Sequence, residues 1–362
     1  MVIEFECRRC GLVVSHKEFE ANKFCPNCGT FLQRHSTWNS SGNGEQQNKK
    51  QICSDGLGIN SLMINPENGK EIALILFEKF NFGDGIFGHN MMPEDFLPCW
   101  GSDLTDLEID RGSYEQLLFI TLVVSIDYQR DADQLWEAGR ITFEDPETRW
   151  LFYPVELAKR SLVEIIYAMK KHSLSKKPNK DAGIWSKVSK SLLDFYGSNP
   201  VNLIEKCDFD ALNLYQQKFD PKFKKNFPYF SGDKIFPLWI RMLHDNLDFK
   251  LKNLSEIPIP VDVHIARATL STNCLTGQYF GSISTIAPII DEVWTKTMNL
   301  ITNNGLKYRL QLDEPLWHLS RYGCRYRKDN YCPKKGKCPV AKFCSNGFVS
   351  VSTKGIKVNT IQ

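Results

Sequence analysis

The sequence contains no apolar run long enough to cross a lipid bilayer. Its longest apolar stretch covers residues 117–126 and is interrupted by Thr121 and Ser125, whereas a membrane-spanning helix needs about 20 apolar residues. The first ten residues, MVIEFECRRC, place two Glu and two Cys where a secretory signal would have a cationic start and an unbroken apolar segment. We therefore expect a cytoplasmic protein without a membrane partner.

The chain also lacks a strong excess of charge of either sign. It has 45 Lys and Arg against 42 Asp and Glu, for a formal net charge of +3. Binding to a polyanion must therefore come from local patches rather than from the field of the whole molecule. Apolar residues make up 42% of the chain and charged residues 24%, which predicts globular domains and excludes a disordered or fibrous protein.

Without an export signal, the twelve cysteines are not expected to form a disulfide framework, because a reducing cytosol keeps thiols free for metals or catalysis. Four of them form two Cys-x-x-Cys pairs separated by 14 residues, each pair followed by glycine. Two such pairs provide the tetrahedral thiolate set that structural zinc prefers, and the metal would supply the folding energy. The predicted zinc ligands are Cys7, Cys10, Cys25 and Cys28. The role of this ribbon stays open among binding nucleic acid, binding protein and capping a domain.

Composition and periodicity divide the chain into five regions. A polar Ser/Asn/Gly/Gln stretch follows the ribbon and cannot bury enough surface to order itself. Beyond it, apolar residues recur mostly at helical spacing, and alternation typical of strands is scarce, so the body is predicted to be mainly α. The predicted regions are the ribbon, a flexible linker, an N-terminal extension, a helical body, and a cysteine loop with a tail, at 1–34, 35–57, 58–111, 112–320 and 321–362.

A second cysteine quartet ends the helical body. Its four cysteines are spread over 21 residues with spacings of seven, five and five residues, without the close pairs of a zinc site. Several irons separate their ligands further than one ion does, so a [4Fe–4S] cluster is favoured over a second zinc. The predicted cluster ligands are Cys324, Cys332, Cys338 and Cys344.

Basic residues are concentrated in the same loop, where eight Lys and Arg accompany a single acid. Such a run is either a solvated face or a phosphate-binding surface. A cluster-bound loop would present its cations to a DNA backbone without the entropy cost of ordering a flexible tail. The basic residues are Arg321, Arg325, Arg327, Lys328, Lys334, Lys335, Lys337 and Lys342.

Two segments carry a resemblance to a known family. One is a Pro-rich turn followed by VDVHIAR at 261–267, and the other is WHLSRYGC at 317–324, which enters the cysteine loop. Together they resemble the endonuclease III branch of the helix-hairpin-helix DNA glycosylases, over about residues 112–344. The resemblance implies a mainly α helix-hairpin-helix glycosylase fold with a C-terminal [4Fe–4S] cluster loop, and DNA as the partner.

The resemblance also implies roles for single residues. Asp262 corresponds to the catalytic aspartate, and Lys234, in the hairpin-like segment FSGDK with Gly232, corresponds to the lysine nucleophile of bifunctional members. A fixed carboxylate stabilises the positive charge that develops on the sugar when an N-glycosidic bond breaks. From the residues alone, Asp262 can equally be the N-cap of a helix that begins at Val263, and Lys234 can be a surface lysine that binds phosphate.

The sequence departs from the family pattern in three places. The usual L-P-G-V-G hairpin is reduced to FSGDK, Asp262 lies 28 positions after Lys234, and the cysteine spacing is looser than usual. These departures indicate a divergent subfamily. They bear more on a lyase step by Lys234 than on the role of Asp262.

A glycosylase must extrude its base, fill the gap and hold the base. The segment SIDYQRD follows the longest apolar run, where the family places its wedge, so Tyr128 and Gln129 are the candidate fillers. Trp136, Trp239 and Trp317 are candidates for the base pocket or for the core. Arg267 is a candidate for binding phosphate or for pairing with a neighbouring acid.

The sequence therefore predicts a monomeric DNA N-glycosylase that excises a damaged or modified base from double-stranded DNA, with an AP-lyase step left open. A non-catalytic zinc and iron–sulfur protein that binds nucleic acid on the same scaffold is the alternative. An electron-transfer protein built around the cluster is a third reading, and it leaves Lys234 and Asp262 unexplained.

Overall fold

The computed structural model describes residues 4–6, 13–15, 33–34, 61–88, 91–95, 109–302 and 305–361. The chain forms two units, Met1–Asp55 and Gly56–Gln362. In the first unit three short strands pair antiparallel, with β1 between β2 and β3; they are β1 (Glu4–Glu6), β2 (Val13–Ser15) and β3 (Gln33–Arg34). The four cysteines of the predicted ribbon and the predicted linker lie outside the described residues, so the zinc site stays a prediction.

The second unit is mainly helical, as predicted, and it also contains one small sheet. Its helices are α1 (Pro66–Asn81), α2 (Tyr114–Val124), α3 (Ala132–Glu144), α4 (Pro154–Leu157), α5 (Leu162–Lys171), α6 (Pro178–Tyr196), α7 (Val201–Glu205), α8 (Ala211–Gln217), α9 (Pro221–Asn226), α10 (Ile235–Asp245), α11 (Val263–Ser271), α12 (Ile283–Asn299) and α13 (Asp313–His318). Its strands are β4 (Ser61–Ile64), β5 (Leu275–Gly281), β6 (Asn346–Ser352) and β7 (Gly355–Ile361). No helix in the described part of the chain is both long and apolar enough to cross a membrane.

Side-chain oxygens that accept hydrogen bonds from backbone amides determine where several helices begin. The Ser113 hydroxyl accepts a hydrogen bond from the Gln116 amide at 3.3 Å and caps the start of α2. Apolar residues recur at helical spacing over residues 155–169, but this segment forms two helices rather than one, because the chain turns between α4 and α5. Ser161 then caps α5 in a reciprocal capping box with Glu164.

The second unit contains two hydrophobic cores. The first lobe, residues 109–257, packs α2 to α10 around one core, to which Leu310 is added. The second lobe, residues 61–95 and 259–361, packs α1, α11, α12, α13 and the sheet around the other core. Ile257 belongs to the first core and Ile259 to the second. The Pro-rich turn before Asp262 is therefore a crossing between the two lobes.

The sheet of the second lobe is antiparallel in the order β4-β5-β7-β6. In β7, Ile356, Val358 and Thr360 are buried while the residues between them are more exposed, and this period of two is the pattern of a half-buried strand. The same alternation is visible in the sequence. The expectation that strand alternation is scarce therefore missed the strands at the C-terminus. Residues 72–77, whose sequence fits either a strand or a helix, lie within α1.

A tight turn at residues 227–234 joins α9 to α10. The Gly232 amide donates to the Tyr229 carbonyl at 2.9 Å, and a Cβ at Gly232 would lie 2.9 Å from the same oxygen. Only glycine allows this close approach. Phe230 is buried against Trp239, with ring centroids 5.0 Å apart, so the turn is anchored in the first core. It delivers Lys234 to the start of α10.

Candidate active site

A cleft of about 490 Å³ lies between the two lobes. Lys234, from the first lobe, and Asp262, from the second, both line it. Gln129 and Arg321, which the sequence predicts to contact DNA, also line it. The structure thus brings together residues that the sequence separates widely.

Asp262 is the N-cap of α11, as its alternative interpretation predicts. Its Oδ1 accepts hydrogen bonds from the backbone amides of His264 at 2.7 Å and Ile265 at 3.0 Å. One oxygen therefore holds the carboxylate rigidly at the helix N-terminus. Within the described ranges, Oδ2 has no hydrogen-bond partner. Capping and a role toward a substrate are compatible in this geometry.

Lys234 makes a direct ion pair with Asp127. Its Nζ lies 3.1 Å from Asp127 Oδ2 and 3.3 Å from the Asp127 carbonyl oxygen, and its side chain is 29% exposed. Burial opposes the ammonium, but the carboxylates of Asp127, Asp262 and Asp313 outweigh it, so the pKa of Lys234 lies above its ordinary value. The resting side chain is therefore a cation. Sequence reasoning missed Asp127, which is 107 positions from Lys234.

The two candidate wedge residues have different environments. The Tyr128 ring stacks on Tyr229, with centroids 5.0 Å apart, and its hydroxyl donates to Asp181. Gln129 is exposed, has a positive φ of 53° and accepts a hydrogen bond from Lys177 Nζ at 3.0 Å. Tyr128 is thus fixed by its partners, whereas Gln129 is exposed, and its role as a wedge stays a prediction.

The three candidate tryptophans also separate. Trp239 lies in the first core, where its Nε1 donates to Thr121 Oγ1 at 3.0 Å. Trp136 and Trp317 are largely buried but line the cleft. The Trp317 ring lies 5.0 Å from the Arg321 guanidinium. The cleft is therefore bordered by two tryptophans whose rings are themselves largely buried.

A buried ion network lies behind the cleft. Arg241 is 1% exposed and pairs with Glu94, Asp313 and Glu314, the Nε to Asp313 Oδ2 distance being 2.9 Å. Burial raises the pKa of Asp313 to about 7 and that of Glu314 to about 8, against the opposing charge of Arg241. Asp313 lines the cleft. The floor of the cleft thus holds a buried carboxyl group whose pKa lies well above its ordinary value, which sequence reasoning did not identify.

Replacing Arg241 by Met should lower the free energy of unfolding by about 3–5 kcal/mol, because removing the cation leaves buried carboxylates uncompensated. The matched control is Arg140→Met, since Arg140 pairs with Glu137 and Glu144 on an accessible face of α3 and such pairs contribute about 0–1 kcal/mol. Urea unfolding measures both variants. Equal losses would show that the network does not stabilise the fold.

The four cysteines of the C-terminal loop are half-buried free thiols. Burial, and then the charges of Cys338, Cys344 and Cys332, raise the pKa of Cys324, so the four sulfurs are neighbours. Among the described residues, no group of three or more His, Cys, Asp or Glu is arranged so that it could hold a metal ion. The iron–sulfur cluster therefore stays a prediction from the spacing of the four cysteines along the chain.

The basic residues of the loop divide into two groups. Arg327 donates to the carbonyls of Asp329 at 2.6 Å and Gly347 at 2.9 Å, and Arg321 pairs with Asp133. These guanidinium groups hold the loop on the protein, and their contact with DNA stays a prediction. The other residues of this loop that are predicted to bind DNA are more accessible to solvent. Arg325, Lys328, Lys335 and Lys337 are exposed, and Lys334 is half-buried, with its amine over the Tyr326 ring.

Two further predicted DNA contacts are engaged within the protein. Arg267 donates to Ser320 Oγ at 3.0 Å and to the Val351 carbonyl at 2.8 Å, so it joins α11 to β6. The Gly232 amide is bonded within the turn. For both residues, binding to phosphate stays a prediction that requires these bonds to rearrange.

The Gly-rich segment before residue 95 packs against the cysteine loop. Gly85 has a φ of 68°, and a Cβ there would lie 2.4 Å from the Lys337 carbonyl oxygen. The Ile86 side chain packs close to Gly323, where a Cβ would lie 3.2 Å from Ile86 Cδ1. This segment therefore supports the loop that carries the four thiols.

No protein-family model matches the chain, and no curated protein was found to be similar to it.

Proposed function

We propose that the protein is a DNA N-glycosylase with the helix-hairpin-helix glycosylase fold, which excises a damaged or modified base. The observation that carries the proposal is the presence of Asp262 and Lys234 in one cleft, although they belong to different lobes. The turn before α10 and the α11 cap are the two elements that bring them there. Two helical lobes with the catalytic groups between them suit a nucleotide turned out of a duplex.

Asp262 would stabilise the sugar as the base departs. Breaking the N-glycosidic bond builds positive charge at C1′, and a preorganised carboxylate lowers the energy of that state. Because Oδ1 is occupied by two backbone amides, Oδ2 is the oxygen that would face the sugar. The backbone amides hold the group in place, so little reorganisation is needed during the reaction.

Cations border the cleft on the side of Gln129. Lys180 Nζ lies 4.6 Å from the centre of the Tyr128 ring and 4.2 Å from that of Tyr229, and Lys177 contacts Gln129. Lysines beside an exposed wedge residue would hold the phosphates that flank the extruded nucleotide. The exposed lysines of the cysteine loop would extend this contact along the backbone.

The four thiols of the C-terminal loop would hold a [4Fe–4S] cluster that anchors the loop to the second lobe. We expect anaerobically purified protein to contain about four irons and about one zinc per chain, the zinc in the N-terminal ribbon. Cys338→Ser should remove the brown absorbance, whereas Cys207→Ser should retain it, because Cys207 is buried in the first core. Metal analysis that finds two zincs and no iron would contradict the cluster.

The proposal is tested by base release. The protein is incubated with duplexes that carry different lesions and with modified phage DNA, and mass spectrometry identifies the free bases. Release of a base by the parent chain supports a glycosylase. Duplex binding without release from any substrate would instead support a non-catalytic binding protein, and a reversible redox potential without DNA binding would support electron transfer.

A further inference from the structure

The sequence does not predict the contact between Asp127 and Lys234, and it assigns no role to Asp127. Asp127 follows α2 and its side chain is only 7% exposed, yet its Oδ2 lies 3.1 Å from Lys234 Nζ. The carbonyl of the same residue accepts from Nζ at 3.3 Å. Two oxygens of one buried residue therefore hold the amine at the cleft wall.

A lysine that attacks carbon must first lose a proton, because only the neutral amine has a free electron pair. The neighbouring carboxylates raise the pKa of Lys234, so the proton has to leave during the reaction. A base already hydrogen-bonded to the amine is the arrangement this step requires. The charged and titratable groups around the pair are Arg130, Asp262, His264 and Asp313.

In the part of the chain that the structure describes, neither of the other carboxyl groups near Lys234 makes a hydrogen bond or an ion pair with its amine. Asp262 uses Oδ1 for two backbone amides and, among the described residues, makes no hydrogen bond to Lys234. Asp313 is paired with Arg241. We propose that the Asp127 carboxylate accepts the proton of Lys234, so that Lys234 is the nucleophile of a lyase step; this inference rests on the proposed function.

The step balances on an abasic site. The Lys234 ammonium gives one proton to Asp127, and the amine forms a bond from Nζ to the C1′ aldehyde carbon, which gives a carbinolamine. The hydroxyl then leaves as water, taking back the proton held by Asp127, and an iminium bond remains between Nζ and C1′. When an intact nucleotide reacts, the same proton passes to the departing base. No oxidant or further reactant is needed.

The experiment uses a duplex with an abasic site and borohydride, which reduces the iminium to a stable adduct. Asp127→Asn should form the adduct about 100-fold more slowly than the parent chain, in the range that loss of a general base costs. If Asp127 only kept Lys234 protonated, the same variant would react as fast as the parent or faster. That result would overturn the inference.

Two variants keep the result interpretable. Asp127→Glu retains a carboxylate and should recover part of the rate, and Asp194→Asn should react like the parent, because Asp194 pairs with Lys190 on an exposed part of α6, away from the cleft. Circular dichroism and duplex binding check the fold of each variant. Failure of Asp127→Glu to exceed Asp127→Asn while it remains folded would count against proton transfer.

Failure of the proposed function would appear differently. A parent chain that releases bases but forms no adduct is a monofunctional glycosylase, which retains the proposed function and overturns the role of Asp127. A parent chain that neither releases bases nor forms an adduct contradicts both.

Discussion

Replacing Asp262 by Asn should nearly abolish base release while duplex binding remains unchanged. Asn is close in shape to Asp and its side-chain oxygen can still cap α11, so the fold should persist. The negative charge toward C1′ is lost, and we expect the single-turnover rate to fall by roughly 10³-fold, as for other preorganised electrostatic groups. The measurement is the rate of free-base formation on the best substrate, together with a binding titration of the duplex.

The matched control is Asp210→Asn. Asp210 caps α8 with the same geometry, its Oδ1 accepting from the amides of Leu212 at 2.8 Å and Asn213 at 3.2 Å, and it does not line the cleft. It should retain the parent rate of base release. If the two variants lose activity equally, capping rather than catalysis explains the effect of Asp262.

Replacing Lys234 by Gln should eliminate the borohydride-trapped adduct with an abasic duplex. Gln retains most of the length of the side chain and can still donate to Asp127, but it cannot form an iminium bond. Base release should continue at a reduced rate wherever water can replace the amine. Denaturing electrophoresis of the reduced reaction shows the adduct directly as a shifted band.

The control for this experiment is the variant Lys218→Gln, because Lys218 is another buried lysine. It is 2% exposed and pairs with Asp233, and burial lowers its pKa despite that partner, so its amine is neutral more often than an ordinary lysine. Lys218→Gln should nevertheless form the adduct at the parent rate. An adduct that persists in Lys234→Gln and disappears in Lys218→Gln would make Lys218 the nucleophile.

Local signals allowed several features to be predicted. A capping side chain interacts within three residues of its own position, so the role of Asp262 as an N-cap follows from a short segment and is confirmed. The mainly helical character also follows from periodicity. The period of two in β6 and β7 is equally local. These two strands could therefore have been predicted from the sequence, but they were not.

Contacts between residues that are distant in the chain could not be predicted in the same way. Asp127 and Lys234, within the first lobe, are 107 positions apart, and Arg241 and Glu94, which join the two lobes, are 147 positions apart. Such pairs depend on how helices pack within and between the two cores, and no spacing along the chain encodes that packing. The choice of Gln129 over Tyr128 as the exposed residue likewise depends on Tyr229, which a distant turn supplies.

By itself the sequence determined the helical class, the two cysteine quartets and the identities of Asp262 and Lys234 as chemically capable groups, because each is expressed in neighbouring residues. Only the tertiary structure decided that these two groups share one cleft, that Asp127 holds the lysine, and that some cations of the cysteine loop bind the protein itself. The physical reason is that burial and charge act through space, so a side chain acquires its pKa and its partners only when segments that are distant in the chain pack together.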